Sequence, residues 1–308
     1  MIDQFREFPY YPTFAFSSIA AGTNNNVQLL IPHNIAVYGI SIQATDLPSE
    51  FNYQYTIQFQ DYESGDTLFD EPILAFNIQS DVRGFIPGIT NSGYHGGAFI
   101  LPSKWFIKKN QKLICKLNTM AGSDTENYYV TLLGYTTDQD PNPGIQPFVY
   151  SFPMQMGYQD NVSGGQTTVN FNQQVTNTLA KPMKYDFELH AITFDPCGTR
   201  FLAAMASPSF SIQISWPGRK ICDRLLIDGV WGGGTVFAQG VNFSASGTIT
   251  GFPINNVLQY KLPVPELIPR NQIVRVDISP AVTYIGSDAL HDQFNNLVCT
   301  ALIGNHIG

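Results

Sequence analysis

Residues 101–117 (LPSKWFIKKNQKLICKL) return as residues 262–278 (LPVPELIPRNQIVRVDI), aligned without a gap. Leu101/Leu262, Pro102/Pro263, Ile107/Ile268, Asn110/Asn271 and Gln111/Gln272 are identical, and the apolar phase Leu113, Cys115, Leu117 is kept as Val274, Val276, Ile278. Three further blocks recur in the same order. Residues 35–42 (IAVYGISI) and 187–194 (FELHAITF) alternate, slip phase and resume. A slip in a period of two is what a bulge or bend in a β-strand produces. Tyr53, Tyr55, Ile57 and Phe59 alternate as do Phe210, Ile212, Ile214 and Trp216. Leu132, Leu133 and Gly134 return as Leu302, Ile303 and Gly304. Offsets drift only through loop lengths, so the pattern implies a tandem duplication of one β domain, about half the chain each.

No window sustains a 3.6-residue apolar period with a cap, the signature of a helix. Short alternating runs punctuated by Gly and Pro read as all-β sandwiches. Long crossing loops favour two tandem jelly-roll-like β-sandwich domains within that class. In the first half, strands are expected at 27–31, 35–42 and 128–135, with a polar turn at 24–26. A hairpin, 53–59 with 67–69, closes through 61–66 (DYESGD) with Ser64 and Gly65 at its tip. The Gly-rich passage 83–97 carries turn chemistry. Residues 136–147 (TTDQDPNPGIQP) hold three prolines and no apolar pattern, so they read as a semi-rigid linker between domains 1–135 and 148–308.

Charged residues make up 13% of the 308-residue chain against 44% apolar and 13% aromatic. That charged share is about half of what soluble domains carry. It suits a protein packed against neighbours, and it is shared by extracellular sandwiches. A net charge of −8 with 16 Lys and Arg speaks against direct nucleic-acid binding, which needs clustered cations. No apolar run reaches the length of a membrane span. The start MIDQFREFPYYP lacks the basic and apolar regions of a secretory signal. The cysteines, Cys115, Cys197, Cys222 and Cys299, lack metal-site spacing, and Cys115 and Cys299 fall in apolar strand patterns as reduced core thiols.

Two stretches are candidate assembly contacts. Residues 1–16 place Phe5, Phe8, Tyr10, Tyr11, Phe14 and Phe16 among Pro9 and Pro12, which argue against a helix or a central strand. They read as an arm that docks on a neighbour, or as an edge strand of the first domain. Lys104, Lys108, Lys109, Lys112 and Lys116 form a basic run, reading either as a strip that meets an acidic neighbour or as edge protection. The matching stretch of the second half keeps only Arg270 and Arg275, so the two halves present different faces.

No catalytic, metal or cofactor residues are assigned. His33, His95, His190, His291 and His306 share no metal-ligand spacing. Asp61, Glu63 and Asp66, and separately Asp138, Asp140 and Asn142, lack the glycine and glutamate positions of a calcium loop and read as solvated turns. A GxSxG elbow is absent, and enzyme activity is not expected.

Taken together, YDFELHAITF at 185–194, LPVPELIPRNQIVRVDI and the closing Leu302, Ile303 and Gly304 resemble a β-sandwich module of bacteriophage virion structural proteins. The first half departs from the pattern: Asn34 stands where Asp186 does, and Lys104 and Trp105 interrupt the second proline. The resemblance implies a capsid shell or decoration protein, made in the host cytoplasm and residing in the virion. Its partners would be copies of itself, as a trimer or hexamer, and other virion proteins. Two jelly rolls in one chain also resemble the double-barrel major capsid proteins of lipid-containing phages. A tail, collar or glycan-binding module is the third reading, with Trp231 as its candidate platform.

Overall fold

The computed structural model describes residues 7–20, 22–44, 55–74, 83–84, 94–96, 99–119, 125–138, 144–155, 158–162, 166–171, 176–195, 210–226, 242–243, 249–250, 259–280, 284–288 and 297–308. Among them all regular structure is β. The first half holds β1 (Pro9–Tyr10), β2 (Thr13–Ala20), β3 (Asn24–Leu30), β4 (Ile35–Ala44), β5 (Tyr55–Asp61), β6 (Ile73–Leu74), β7 (Arg83–Gly84), β8 (Tyr94–Gly96), β9 (Phe99–Ile107), β10 (Lys112–Thr119) and β11 (Thr125–Thr136). The second holds β12 (Ile145–Gln155), β13 (Tyr158–Val162), β14 (Gln166–Phe171), β15 (Asn177–Pro182), β16 (Asp186–Asp195), β17 (Phe210–Trp216), β18 (Arg219–Leu226), β19 (Asn242–Phe243), β20 (Ile249–Thr250), β21 (Gln259–Ile268), β22 (Ile273–Pro280), β23 (Tyr284–Asp288) and β24 (Leu297–Ile307).

In the first half one sheet runs β2-β11-β4-β9, with β1 also on β11 and β8 and β7 beyond β4; the facing sheet runs β3-β10-β5-β6. In the second half the sheets run β12-β24-β16-β21 and β15-β22-β17-β18. Matched by position along the chain, the two pairs of sheets have one strand order, the interleaved order of a jelly roll. The chain is therefore all-β, with the same jelly-roll topology laid down twice. The second half adds the three-stranded β13-β14-β23 and the hairpin β19-β20.

The later part of the shared stretch forms a strand flanked on both sides within its sheet in each half. Leu113, Cys115 and Leu117 on β10 and Val274, Val276 and Ile278 on β22 are all fully buried. Each such aliphatic side chain contributes about 2 kcal/mol on leaving water. Burial desolvates the Cys115 thiol completely and pushes its pKa far up, so it stays protonated.

The phase slips are bulges. On β4, Val37 pairs with Gly134 and Gly39 with Leu133, leaving Tyr38 out of the ladder. On β16, Leu189 pairs with Gly304 and Ala191 with Ile303, leaving His190 out. The neighbouring edge strands bulge opposite these points, so residues 101–104 and 262–265 sit outside the ladder. That is why Pro102 and Pro263 are tolerated inside long strands. The bulged backbone also crowds the glycine facing it. A Cβ on Gly304 would lie 2.1 Å from the Glu188 carbonyl oxygen, and one on Gly134 would lie 2.8 Å from that of Ala36.

The shared Asn-Gln pair closes an identical turn in each half. Asn110 and Asn271 both have φ of 64°, the left-handed region that asparagine tolerates better than most residues. The Gln111 and Gln272 amides donate to Lys108 and Pro269 carbonyls, at 3.1 and 3.2 Å. The Lys109 amide donates to the Asn34 side chain at 2.7 Å, and the Arg270 amide to the Asp186 carboxylate at 2.6 Å. Asn34 and Asp186 thus do one job, accepting the turn's second amide.

Some expectations shift. Residues 24–26, expected as a turn, open β3, because pairing with Lys116, Leu117 and Asn118 on β10 outweighs the low strand propensity of asparagine. The 61–66 turn forms as expected, with the Asp61 amide donating to Asp66 at 2.8 Å and Gly65 at φ 77°. Its returning arm pairs with β5 only at Gln60 and Thr67, after which Phe69 pairs with Val149 of the second half. Ile145 and Gln146, within the stretch read as linker, begin β12, and Pro147 pairs with Asn305.

Gly304→Ala is expected to cost about 3 kcal/mol, as overpacking against backbone does, and Gly134→Ala less. Asn271→Ala should cost about 1 kcal/mol while Asn271→Gly stays near neutral. Urea midpoints at constant m-value check both orderings.

Candidate functional site

Along β12, β24 and β16, the sheet β12-β24-β16-β21 carries buried side chains on both faces. Tyr150, Phe152, Phe187, Leu189, Ile192 and Leu302 point into the second half's own core. Val149, Ala191, Ala301 and Ile303, on the other face, join the buried cluster that contains Phe69, Leu68 and Leu101 of the first half. Alternation along β12 and β24 makes this possible, since a strand sends successive side chains to opposite faces. Backbone joins the halves too. Val149 donates to the Leu68 carbonyl at 3.3 Å and accepts from the Asp70 amide at 3.1 Å. The bulge of β9 lays Ser103 on the outer face, where its hydroxyl donates to Asn305 Oδ1 at 2.6 Å.

Among the described residues, charge crosses this junction at Lys181. The Lys181 ammonium lies 2.7 Å from Asp70 Oδ2 and also binds Glu71, while the Ser151 amide donates to Asp70 Oδ1 at 2.8 Å. Burial pushes the Asp70 carboxyl above its ordinary value, and the Lys181 ammonium and Ser151 amide pull it only part of the way back. Beside it, His190 Nε2 lies 2.7 Å from Glu188 and 3.1 Å from the Asn305 amide. The hydrogen bond to His190 holds the Glu188 carboxyl below its ordinary value. Ser103 donates to an amide oxygen and not to this imidazole, so the cluster lacks the serine–base contact that activates a nucleophile.

A cleft of about 440 Å³ opens between the halves, lined among others by Asp66, Trp105, Gln111, Phe148, Tyr185 and His306. His306 stacks on Phe148 with ring centroids 3.9 Å apart and meets the Tyr150 hydroxyl at 3.1 Å. Burial, with Lys184 nearby, pulls its pKa down to about 4, so at neutral pH it is an uncharged ring within an aromatic stack. Burial likewise pushes the Tyr150 phenol up to about 12. On the opposite wall, burial would raise the Asp61 carboxyl, but the Ser64 and Glu63 amides and the Gln111 side chain outweigh it and hold it low. Among the described residues no three His, Cys, Asp or Glu side chains converge to hold a metal.

Two of the sequence-derived contact residues, Tyr11 and Lys104, share the outer face of the first half, while Phe8 and Tyr10 fall on the alternate side of their strand. Tyr10 pairs with Gly134 on β11, and Phe8 and Tyr10 both set their rings edge-on to His33. Tyr11 is half exposed. Lys104 sits 5.1 Å over the Tyr135 ring, and their hydrogen bond raises its pKa. Lys108 and Lys109 are exposed in the β9–β10 turn, and Lys112 sits 4.3 Å over Tyr62 on the other sheet, so the lysines do not form one strip. Phe5 and Trp231 lie outside the described residues. The sequence reading passed over Tyr38, Asp70, Lys181, Val264 and Leu267. The repeated phase slip was the available signal for Tyr38, since it marks the position that faces out of the ladder.

No family model and no curated protein matches the chain. Among solved structures it is similar to the STIV MCP, with a TM-score of 0.43 and 12% identity over 98% of this chain and 97% of that one. It is similar to a PBCV-1 virus capsid chain, with a TM-score of 0.39 and 8% identity over 98% and 95%. It is also similar to PNGF-II, with a TM-score of 0.38 and 10% identity over 95% and 65%. Likenesses this loose carry no argument of their own, and the jelly-roll assignment rests on strand order.

Lys181→Met is expected to cost about 3 kcal/mol, because it leaves the buried Asp70 carboxylate without its cation. Adding Asp70→Asn should recover most of that loss. A carboxyl whose folded pKa lies above its unfolded one takes up its proton first in the folded state. Stability therefore falls as pH rises from the unfolded value, 3.8, through the folded one. The deficit of the Lys181→Met chain should accordingly shrink towards acid pH, as thermal melts across pH 3–7 would register.

Proposed function

We propose that the chain is a structural protein of a virion, a shell subunit that works by packing against copies of itself and other virion proteins. The observation that carries this reading is the doubled jelly roll. Two sandwiches of one topology are joined through a fully buried sheet face, so the chain is a stiff block with two barrels' worth of wall. Such a block tiles a surface, where a hinged pair would not. The sparse charge supports the same reading, since walls that meet like walls gain from low self-repulsion and from Asn, Gln, Ser, Thr and Tyr cover.

Within this reading, two whole barrels in one chain favour a main shell subunit of the double-barrel kind over a decoration protein. Bacteriophage origin, synthesis in the host cytoplasm and a trimeric or hexameric unit belong to the proposal, carried by the sequence resemblance. The domain division at 136–147 belongs to it as well, with the second barrel starting at β12.

The expected outcome for purified protein is a concentration-dependent rise in mass by light scattering, with closed rings or shell fragments by negative-stain microscopy. Mass spectrometry of the corresponding purified virions should find the chain at shell stoichiometry. A chain that stays monomeric at every concentration and is missing from the virions overturns the reading.

A further inference from the structure

The junction inside the chain is half of a pair, and among the described residues the other half is unfilled. This inference rests on the shell reading above. Ladder register equates the halves residue by residue. Tyr38 stands where His190 does, Leu133 where Ile303 does and Tyr135 where Asn305 does. Counting along the edge strands equates Tyr11 with Val149 and Thr13 with Ser151. On the strand that covers this face, Ser103 is equated with Val264 and Phe106 with Leu267.

The two sets differ in what covers them. On the second half's outer face, Val149 is 0%, Ile303 1% and Asn305 4% exposed, all beneath the first half. On the first half's outer face Tyr11, the counterpart of Val149, is 50% exposed, Leu133 and Tyr135 are half-buried where Ile303 and Asn305 are buried, and Tyr38 is 36% exposed. The edge shows the reverse. Ser103 is engaged on Asn305, while its counterpart Val264 is 70% exposed and Leu267 55%. One receiving face and one covering edge are thus used inside the chain, and one of each is left over.

The geometry points to a head-to-tail contact between copies in which Val264 and Leu267 on β21 of one copy cover Tyr11, Tyr38 and Tyr135 on the outer face of the next. The leftover surfaces are complementary in kind. Aliphatic side chains meet tyrosines, which cover large areas at little entropic cost and are enriched at interface centres. Lys104 stands over Tyr135 on the receiving face, while Glu266 of β21 is engaged by Arg219 within its own chain. A contact between unlike patches leaves a free patch at each end, so it propagates to a closed ring or an open filament and not to a two-fold dimer.

Two variants test this, each changing an exposed residue so that folding is spared: Val264→Asp disables the covering edge and Tyr11→Asp the receiving face. Each alone should weaken self-association by about 30-fold or more, the effect of losing an interface anchor, with thermal midpoints unchanged. Mixed in equal amounts they should form a two-chain complex, because each supplies the patch the other lacks. Sedimentation of the variants singly and mixed reads all three outcomes. Variants that associate as the wild type does, or a mixture that stays monomeric, overturn this contact and leave the shell reading standing if the wild type still assembles. A wild type that never associates overturns both.

Discussion

The structure depends on burying one sheet twice. Val149, Ala191, Ala301 and Ile303 point away from their own core and are covered by the first half as completely as core residues are. A sheet with one face left wet would alternate apolar with polar, and this one does not. Its outward positions are small or aliphatic where they join the cluster of Phe69 and Leu101, and polar at Asn305, which Ser103 reaches. The second barrel therefore cannot present its full surface without the first. Packing across this face sets the relation between the barrels.

The bulges turn that burial into geometry. Removing His190 and Tyr38 from the ladder re-aims the strands on either side, and the matching bulge in β9 brings Ser103 across to Asn305. The same local device recurs in both halves, yet its outer side is engaged in one and exposed in the other. Similar stretches of sequence have thus given one local structure and two environments.

How much of this was legible follows from which interactions are local in sequence. The strand cores could be read from period alone, since Leu113, Cys115 and Leu117 alternate and are buried alternately. The bulges were legible because a phase slip is visible within eight residues, and the glycines facing them because both copies keep them. The repeated asparagine was visible as an identity, although its reason, a left-handed turn position, needed the backbone. What stayed illegible was the contact between halves. Nothing near Phe69 announces that it leaves its hairpin for Val149, and nothing near Lys181 announces Asp70. Such contacts are settled by how two finished barrels fit. The lysine run misled for a related reason: along a strand and its turn, neighbours in sequence face different sheets, so Lys104 and Lys112 ended on different surfaces.

Cys115 and Cys299 lie at zero exposure in their sheets. Disulfide exchange needs access for the incoming sulfur, which burial denies at both positions, and burial also keeps the Cys115 thiol protonated. An oxidising medium therefore leaves these two sulfurs alone for as long as the sheets stay closed. Their capture by a thiol reagent would act as a clock for opening, Cys115 timing the core of the first barrel and Cys299 the outer face of β24.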